Sequence, residues 1–416
     1  MISLQDKSHY TLNSIIVFIY FGLLFTFDNN FTLTALILFL TAIYGISKGV
    51  AKNISTPFFA PAWLLLVVIL LTIKLIAQGS PSSSNLNLIV FFSCLIPIYY
   101  YLSVTGFSFK ALTYGIYCSA IIGGFVALYD FYVSKNMIGD DIRSGATFTP
   151  QVFGTIGVIY TMFLTSKLVS LLQITKKSKK HLVELLVTVF AITCSILIVI
   201  FSGSRSPALS LLTTTAFFIL FFRLYLQQKA IIAGVIIFLS MATFYFTVPN
   251  NTFNLRLKSA IVTVLTEDHK DGELYTRFEI WKTGLVIAQL NPLIGISLED
   301  KSIAIANAEV KRGTNLEIFT RNQEMHSDHI EVLVRYGLIG LLLYWSFLIS
   351  NFARYFKANK LLKTEEKTLF YAHAISLLTF GITDVLAGYT IGAAVFFLPI
   401  VMFAAYINSI YLKINR

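Results

Sequence analysis

The residues best suited to chemistry are few and fall in three short stretches. The first is Ser202-Gly203-Ser204-Arg205-Ser206-Pro207, a tight turn between two apolar segments. An arginine offers a planar fork of donors matched to phosphate oxygens, and small neighbours leave room for a phosphate to approach. Pro207 suits the first position of a helix, whose N-terminus attracts anions. Read alone, Arg205 is either a phosphate ligand or an interfacial anchor. The second stretch holds Arg277, with Lys282 and the pair Lys311 and Arg312 as lesser candidates. Exposed basic side chains usually do no more than solvate a surface, so spacing leaves these residues open. The third is Met325-His326-Ser327-Asp328-His329-Ile330-Glu331. Only six histidines occur in the chain, and two stand here. A histidine at such a place can take a proton from a hydroxyl. The same residues also read as a polar cap on the next helix, or as metal ligands supplied by His326, Asp328, His329 and Glu331. The spacing of His326 and His329 fits one helical face, but no HExxH or other strong metal signature is present.

These stretches must be positioned by apolar elements. The chain of 416 residues is 56% hydrophobic and only 13% charged, with a mean hydropathy of +0.74. A soluble domain carries roughly 25% charged residues, so lipid is the expected solvent. Apolar segments run over 11–27, 31–48, 60–77, 85–104, 109–133, 151–173, 182–202, 207–226, 229–248, 330–352, 368–386 and 391–412. At ~20 residues per crossing these read as about 12 transmembrane helices, since only helices satisfy their own backbone in lipid at this length. The first is expected to stay in place, for it lacks a small-residue cleavage site.

Charge orients the spans. With both termini cytoplasmic, the inner loops carry Lys48, Lys52, Lys110, the run Lys176 to Lys180, and Arg354 to Lys367. The short outer loops hold only Lys135, Arg143 and Arg205. This asymmetry accounts for the net charge of +11 and leaves no case for nucleic-acid binding. The expected division is residues 1–248 with spans one to nine, an outer subdomain over 249–329, and 330–416 with the last three spans. A structureless insertion of that length would be unusual, so the outer part is expected to fold. Within it, 273–290 reads as an amphipathic helix with Phe278, Trp281, Leu285 and Ala288 along one stripe, stopped by Asn291 and Pro292. Cys94, Cys118 and Cys194 all lie in apolar segments and read as packing residues.

Three motifs then coincide with a family. Arg205-Ser-Pro-Ala-Leu209, then Arg277 with Trp281, Gly284 and Pro292 to Gly295, then His326-Ser327 with Gly337 and Gly340, stand in order at matching places in the topology. In these features the sequence resembles the bacterial O-antigen ligases. The resemblance implies an all-α integral membrane fold of the GT-C-like glycosyltransferase kind with one large periplasmic loop, in the bacterial inner membrane, with the active site facing the periplasm. It implies transfer of a glycan from undecaprenyl pyrophosphate to a sugar hydroxyl of lipid A-core, with inversion and with neither ATP, metal nor other cofactor. It places Arg205 and Arg277 on the pyrophosphate and His326 as general base. Asp384 stands where the family carries an acidic residue and is expected to orient His326 or an arginine. The family often has a second glycine after Pro-x-x-Gly, where Ser297 stands here, and His329 lies within one turn of His326 as a second candidate base.

Two alternatives share the layout: an O-antigen polymerase and a protein O-oligosaccharyltransferase, which differ in the acceptor. A glycolipid transporter is a third. It would place ionisable or broken helices near the midplane, whereas here the charged motifs gather at one face. No Walker, GxSxG or Rossmann signature occurs.

Overall fold

The computed structural model describes residues 4–26, 30–49, 59–77, 83–134, 144–146, 148–174, 178–221, 272–296, 298–312, 324–385 and 390–414. Regular structure among them is helical: α1 Leu4–Gly22, α2 Asn30–Ser47, α3 Phe59–Ala77, α4 Ser83–Thr105, α5 Phe109–Tyr129, α6 Pro150–Leu172, α7 Lys179–Phe201 and α8 Arg205–Phe221. There follow α9 Gly272–Ala288, α10 Leu298–Arg312, α11 Asp328–Lys357, α12 Thr364–Thr383 and α13 Thr390–Ile414. Eleven of these match the apolar segments of the sequence. The span expected at 229–248 and the loop at 249–271 lie outside the described residues. Six described helices are long and apolar enough to cross a membrane, among them α5, α6, α7 and α11. All-α membrane architecture follows.

Within the bundle α6, α7 and α8 alternate in direction. At one end Lys167 of α6 pairs with Glu184 of α7 at 3.1 Å and Glu365 of α12 at 3.4 Å. At the other end the last residue of α7, Phe201, accepts the amide of Ser144, and Ser206 in α8 meets Thr383 at the end of α12. In between, α6 lies against α7, α8 and α12, and α4 against α13. α8 and α12 are joined by hydroxyl pairs, Ser206 with Thr383, Ser210 with Ser376 and Thr213 with Thr379, at 2.6, 2.9 and 2.9 Å. Such pairs satisfy polar side chains away from water at little cost in shape. The three cysteines are free, Cys194 buried and the others half-buried.

α9 and α10 fold over the start of α11 as a small unit with its own core, built on Ile280, Ile287, Ile305, Met325 and Val334. The packed stripe of α9 differs from the expectation. Ile280, Gly284, Ile287 and Ala288 face inward, whereas Phe278 and Leu285 are exposed. Apolar side chains occur around most of this helix, so spacing alone did not fix the face. A contact at Gly284 did: a Cβ there would stand 2.5 Å from Ile330 and 3.0 Å from the Met325 sulfur.

α11 is broken at Gly337, which adopts φ 63° and ψ −165°. That region is essentially open to glycine alone. The broken ladder is repaired from outside the helix. Leu338 and Ile339 donate instead to the carbonyls of Pro292 and Leu293, at 2.8 and 3.2 Å, while Ile296 donates to Val334 at 2.8 Å. Gly295, at φ 71°, lets the turn close onto this break. The Pro292 to Gly295 and Gly337 motifs are therefore two halves of one joint.

Candidate functional site

The end of α12 is the point on which the three sequence motifs converge. Thr383 is its last helical residue, and Asp384 follows in an extended conformation. From α9, the Arg277 guanidinium donates through Nη1 to the Thr383 carbonyl. From α8, Ser206, next to Arg205, lies 2.6 Å from the Thr383 hydroxyl. That hydroxyl itself donates to Phe380 at 3.1 Å, so Ser206 is the donor of the pair. From the start of α11, Ser327 Oγ donates to Gly381 at 3.0 Å and the Asp328 amide to the Asp384 carbonyl at 3.0 Å.

His326 hangs between pinned neighbours. On one side Met325 is fully buried and its amide donates to Glu331 at 3.2 Å. Glu331 in turn takes Lys301 of α10 at 2.7 and 2.8 Å and lies 3.8 Å from Arg335. Burial pulls the Lys301 ammonium below its ordinary value, and the adjacent Glu331 carboxylate opposes this. On the other side Ser327 is tied to Gly381. Held at both ends, His326 takes φ 46°, the left-handed region that costs a non-glycine residue on the order of 1 kcal/mol. Its carbonyl accepts the Trp281 indole at 3.4 Å, and its Nδ1 lies 3.9 Å from Asp384 Oδ1. Asp384 Oδ1 also accepts the Val385 amide at 2.9 Å. Both side chains are half-buried, so they reach solvent as well as each other.

Arg205 stands as the first residue of α8 and is half-buried, after a turn in which Gly203 adopts φ 58°. The helix therefore begins two residues before Pro207, which sits in its first turn. His329 goes elsewhere. Its ring stacks on Trp345 at 5.1 Å and meets Tyr344 edge-on at 5.6 Å. Lys311 is exposed on α10, and the side chain of Arg312 lies outside the described residues.

The four metal ligands suggested by the sequence are not assembled. Asp328 is buried and accepts from Tyr344 at 3.4 Å, Glu331 is engaged by Lys301, and His329 is on the aromatic pair. A different set forms instead, with ligand atoms of Glu324, His326 and Asp384 all within 4.8 Å of one another. Sequence reading missed Glu324 in this role, and also Thr383, Ser206 and the Lys301–Glu331 pair. Trp281 was noted for its spacing, yet its work is a hydrogen bond to the His326 backbone.

The arrangement brings an imidazole and a guanidinium to the end of α12, a set suited to taking a proton from a hydroxyl beside an anionic group. Its motif residues Arg205, Arg277 and His326 all lie within residues 190–345, which match the family model described as O-antigen ligase. Over this region the chain is similar to the O-antigen ligase family. A protein of Haemophilus influenzae described only as uncharacterized is 25% identical over 237 residues, 56% of each chain. The chain thus spans about half the length of this relative. Thr383 and Asp384 fall beyond the O-antigen ligase match, so their part in the site comes from the fold. The apolar helices make this a multi-pass membrane protein.

Proposed function

We propose that the chain transfers a glycan from undecaprenyl pyrophosphate to a sugar hydroxyl of lipid A-core, at the periplasmic face of the bacterial inner membrane. The observation that carries this is the meeting of the Arg205 turn, Arg277 and His326 on Thr383 and Asp384. His326 takes the proton of the acceptor hydroxyl as its oxygen attacks the anomeric carbon. The bond from that carbon to the pyrophosphate oxygen breaks, and undecaprenyl pyrophosphate leaves. One displacement inverts the anomeric centre. Negative charge develops on the leaving oxygen, where preorganised guanidinium groups act most strongly. Arg205 and Arg277 are assigned this part, Arg277 being oriented by the Thr383 carbonyl.

Asp384 is assigned to the imidazolium that forms. Its separation of 3.9 Å from Nδ1 is long for a hydrogen bond, as is common before substrate binds, and it leaves Nε2 to meet the acceptor. A second reading rests on the Glu324, His326 and Asp384 cluster, which has the spacing to hold a divalent cation. Arginines on the leaving group make a metal unnecessary, so EDTA should leave the rate unchanged. Inhibition by EDTA reversed by a divalent cation would replace the base by a metal.

The acceptor is settled by purified protein given carrier-linked glycan with either lipid A-core or a second carrier-linked glycan. Product on lipid A-core is expected. Product only on the second glycan would make the protein a polymerase, and product on neither would point to a protein acceptor or to transport.

A further inference from the structure

We infer that the turn over residues 290–296 is the membrane-seated tip of the α9 and α10 unit, with acyl chains of the bilayer packed on Leu290 and Leu293. The turn meets α11 at a definite level. Residues 336–353 of α11, between Arg335 and Arg354, carry no charge and form its apolar stretch. The turn bonds to Leu338 and Ile339, the first residues of that stretch beyond the break. It therefore sits where the spanning part of α11 begins.

Its surface matches this level. Leu290 and Leu293 are 67% and 60% exposed, beside an exposed Ile294. Exposed apolar side chains continue onto the two helices that the turn touches, with Ile73 and Ile76 on α3 and Leu338 and Leu342 on α11. For a spanning helix such a surface is the lipid face, and Leu290, Pro292, Leu293 and Ile294 add exposed apolar groups to it.

Irregular backbone at an apolar boundary must have its polar groups satisfied by protein. Lys74 does this. It is the only charged residue of α3, is buried, and its ammonium donates to Ile294, Ile296 and Arg335 carbonyls at 2.8, 3.1 and 2.5 Å. Three donors meet three carbonyls, of which Arg335 lost its helical partner when Ile339 turned to Leu293. A solvent-washed loop would leave such carbonyls to water and would have no need of a buried ammonium drawn from a neighbouring helix.

The test is fluorescence of full-length Leu293→Trp in vesicles, read as the difference from the parent chain, with Leu290→Trp as a second variant. Quenching of the added emission by lipids brominated high on the acyl chain, with little loss to aqueous iodide, is expected. Quenching by iodide and not by brominated lipid would overturn the inference and place the turn in water. Protection from both quenchers would also overturn it, and would mean that a protein surface, such as a second copy of the chain, covers the turn. Neither variant touches Arg205, Arg277 or His326, so this result stands apart from the proposed reaction.

Discussion

The two ends of the bundle are built on different principles. At the end that holds Lys167, charges find opposite charges and helices begin with ordinary caps. Ser178 accepts the His181 amide at 3.2 Å, and Glu366 accepts the Lys363 amide at 2.9 Å. At the end that holds His326, the backbone departs from regular structure again and again: His326 is left-handed, Gly337 breaks α11, and Asp384 leaves α12 extended. Unfavourable conformations persist only where surrounding structure over-determines them, and they gather at sites that act. Here the over-determination is visible, as Met325 and Ser327 are pinned on either side of the histidine.

If this contrast is functional, substitutions at the two ends should differ in kind. The largest effect is expected for His326→Ala, a loss of ~10²–10⁴-fold in transfer rate with helical content and membrane insertion unchanged by circular dichroism and fractionation. Retained activity would remove His326 from the chemistry. Arg277→Ala and Arg205→Ala should each cost ~10²–10³-fold in kcat with carrier-linked donor, the scale of removing one group that stabilises developing charge. Normal turnover of donor in either variant would sever that arginine from the leaving group.

Gly337→Ala should sharpen the comparison through stability. A Cβ there would stand 2.3 Å from the Leu293 carbonyl, and the backbone strain alone amounts to ~1–3 kcal/mol. The variant should melt earlier and transfer more slowly, with activity partly restored at low temperature. An unshifted melting point would show that the joint is not held by this residue. The smallest effect belongs to the opposite end. Lys167→Met removes its two partly exposed pairs, with Glu184 and Glu365, each worth ~1 kcal/mol or less, so thermal stability should drop slightly and transfer should stay near normal. A large loss of activity there would break the contrast.

Eleven of the twelve apolar segments were legible as helices because each is long and bounded by polar turns, the twelfth, at 229–248, lying outside the described residues. The order of Arg205, Arg277 and His326 was legible as motif spacing. What spacing could not carry is contact between distant segments. The joint between Pro292 to Gly295 and Gly337 depends on carbonyls and amides some forty positions apart, and the hub at Thr383 gathers residues from four helices. Which face of α9 packs inward was not legible because its apolar residues nearly encircle it, and tertiary contact at Gly284 decided the matter. Lys74 left a signal that went unread: a lone charge in an apolar segment is a candidate for a specific task. His329 could be separated from His326 only by seeing the first stacked on Trp345 and the second facing Asp384.

The most direct measurement is single-turnover transfer by purified His326→Ala at saturating carrier-linked donor, with donor binding measured on the same preparation. Donor bound as tightly as by the parent chain, with transfer lost, is the predicted result. Transfer at the parent rate with donor bound would contradict the account, leaving the convergence on Thr383 and Asp384 as architecture without chemistry.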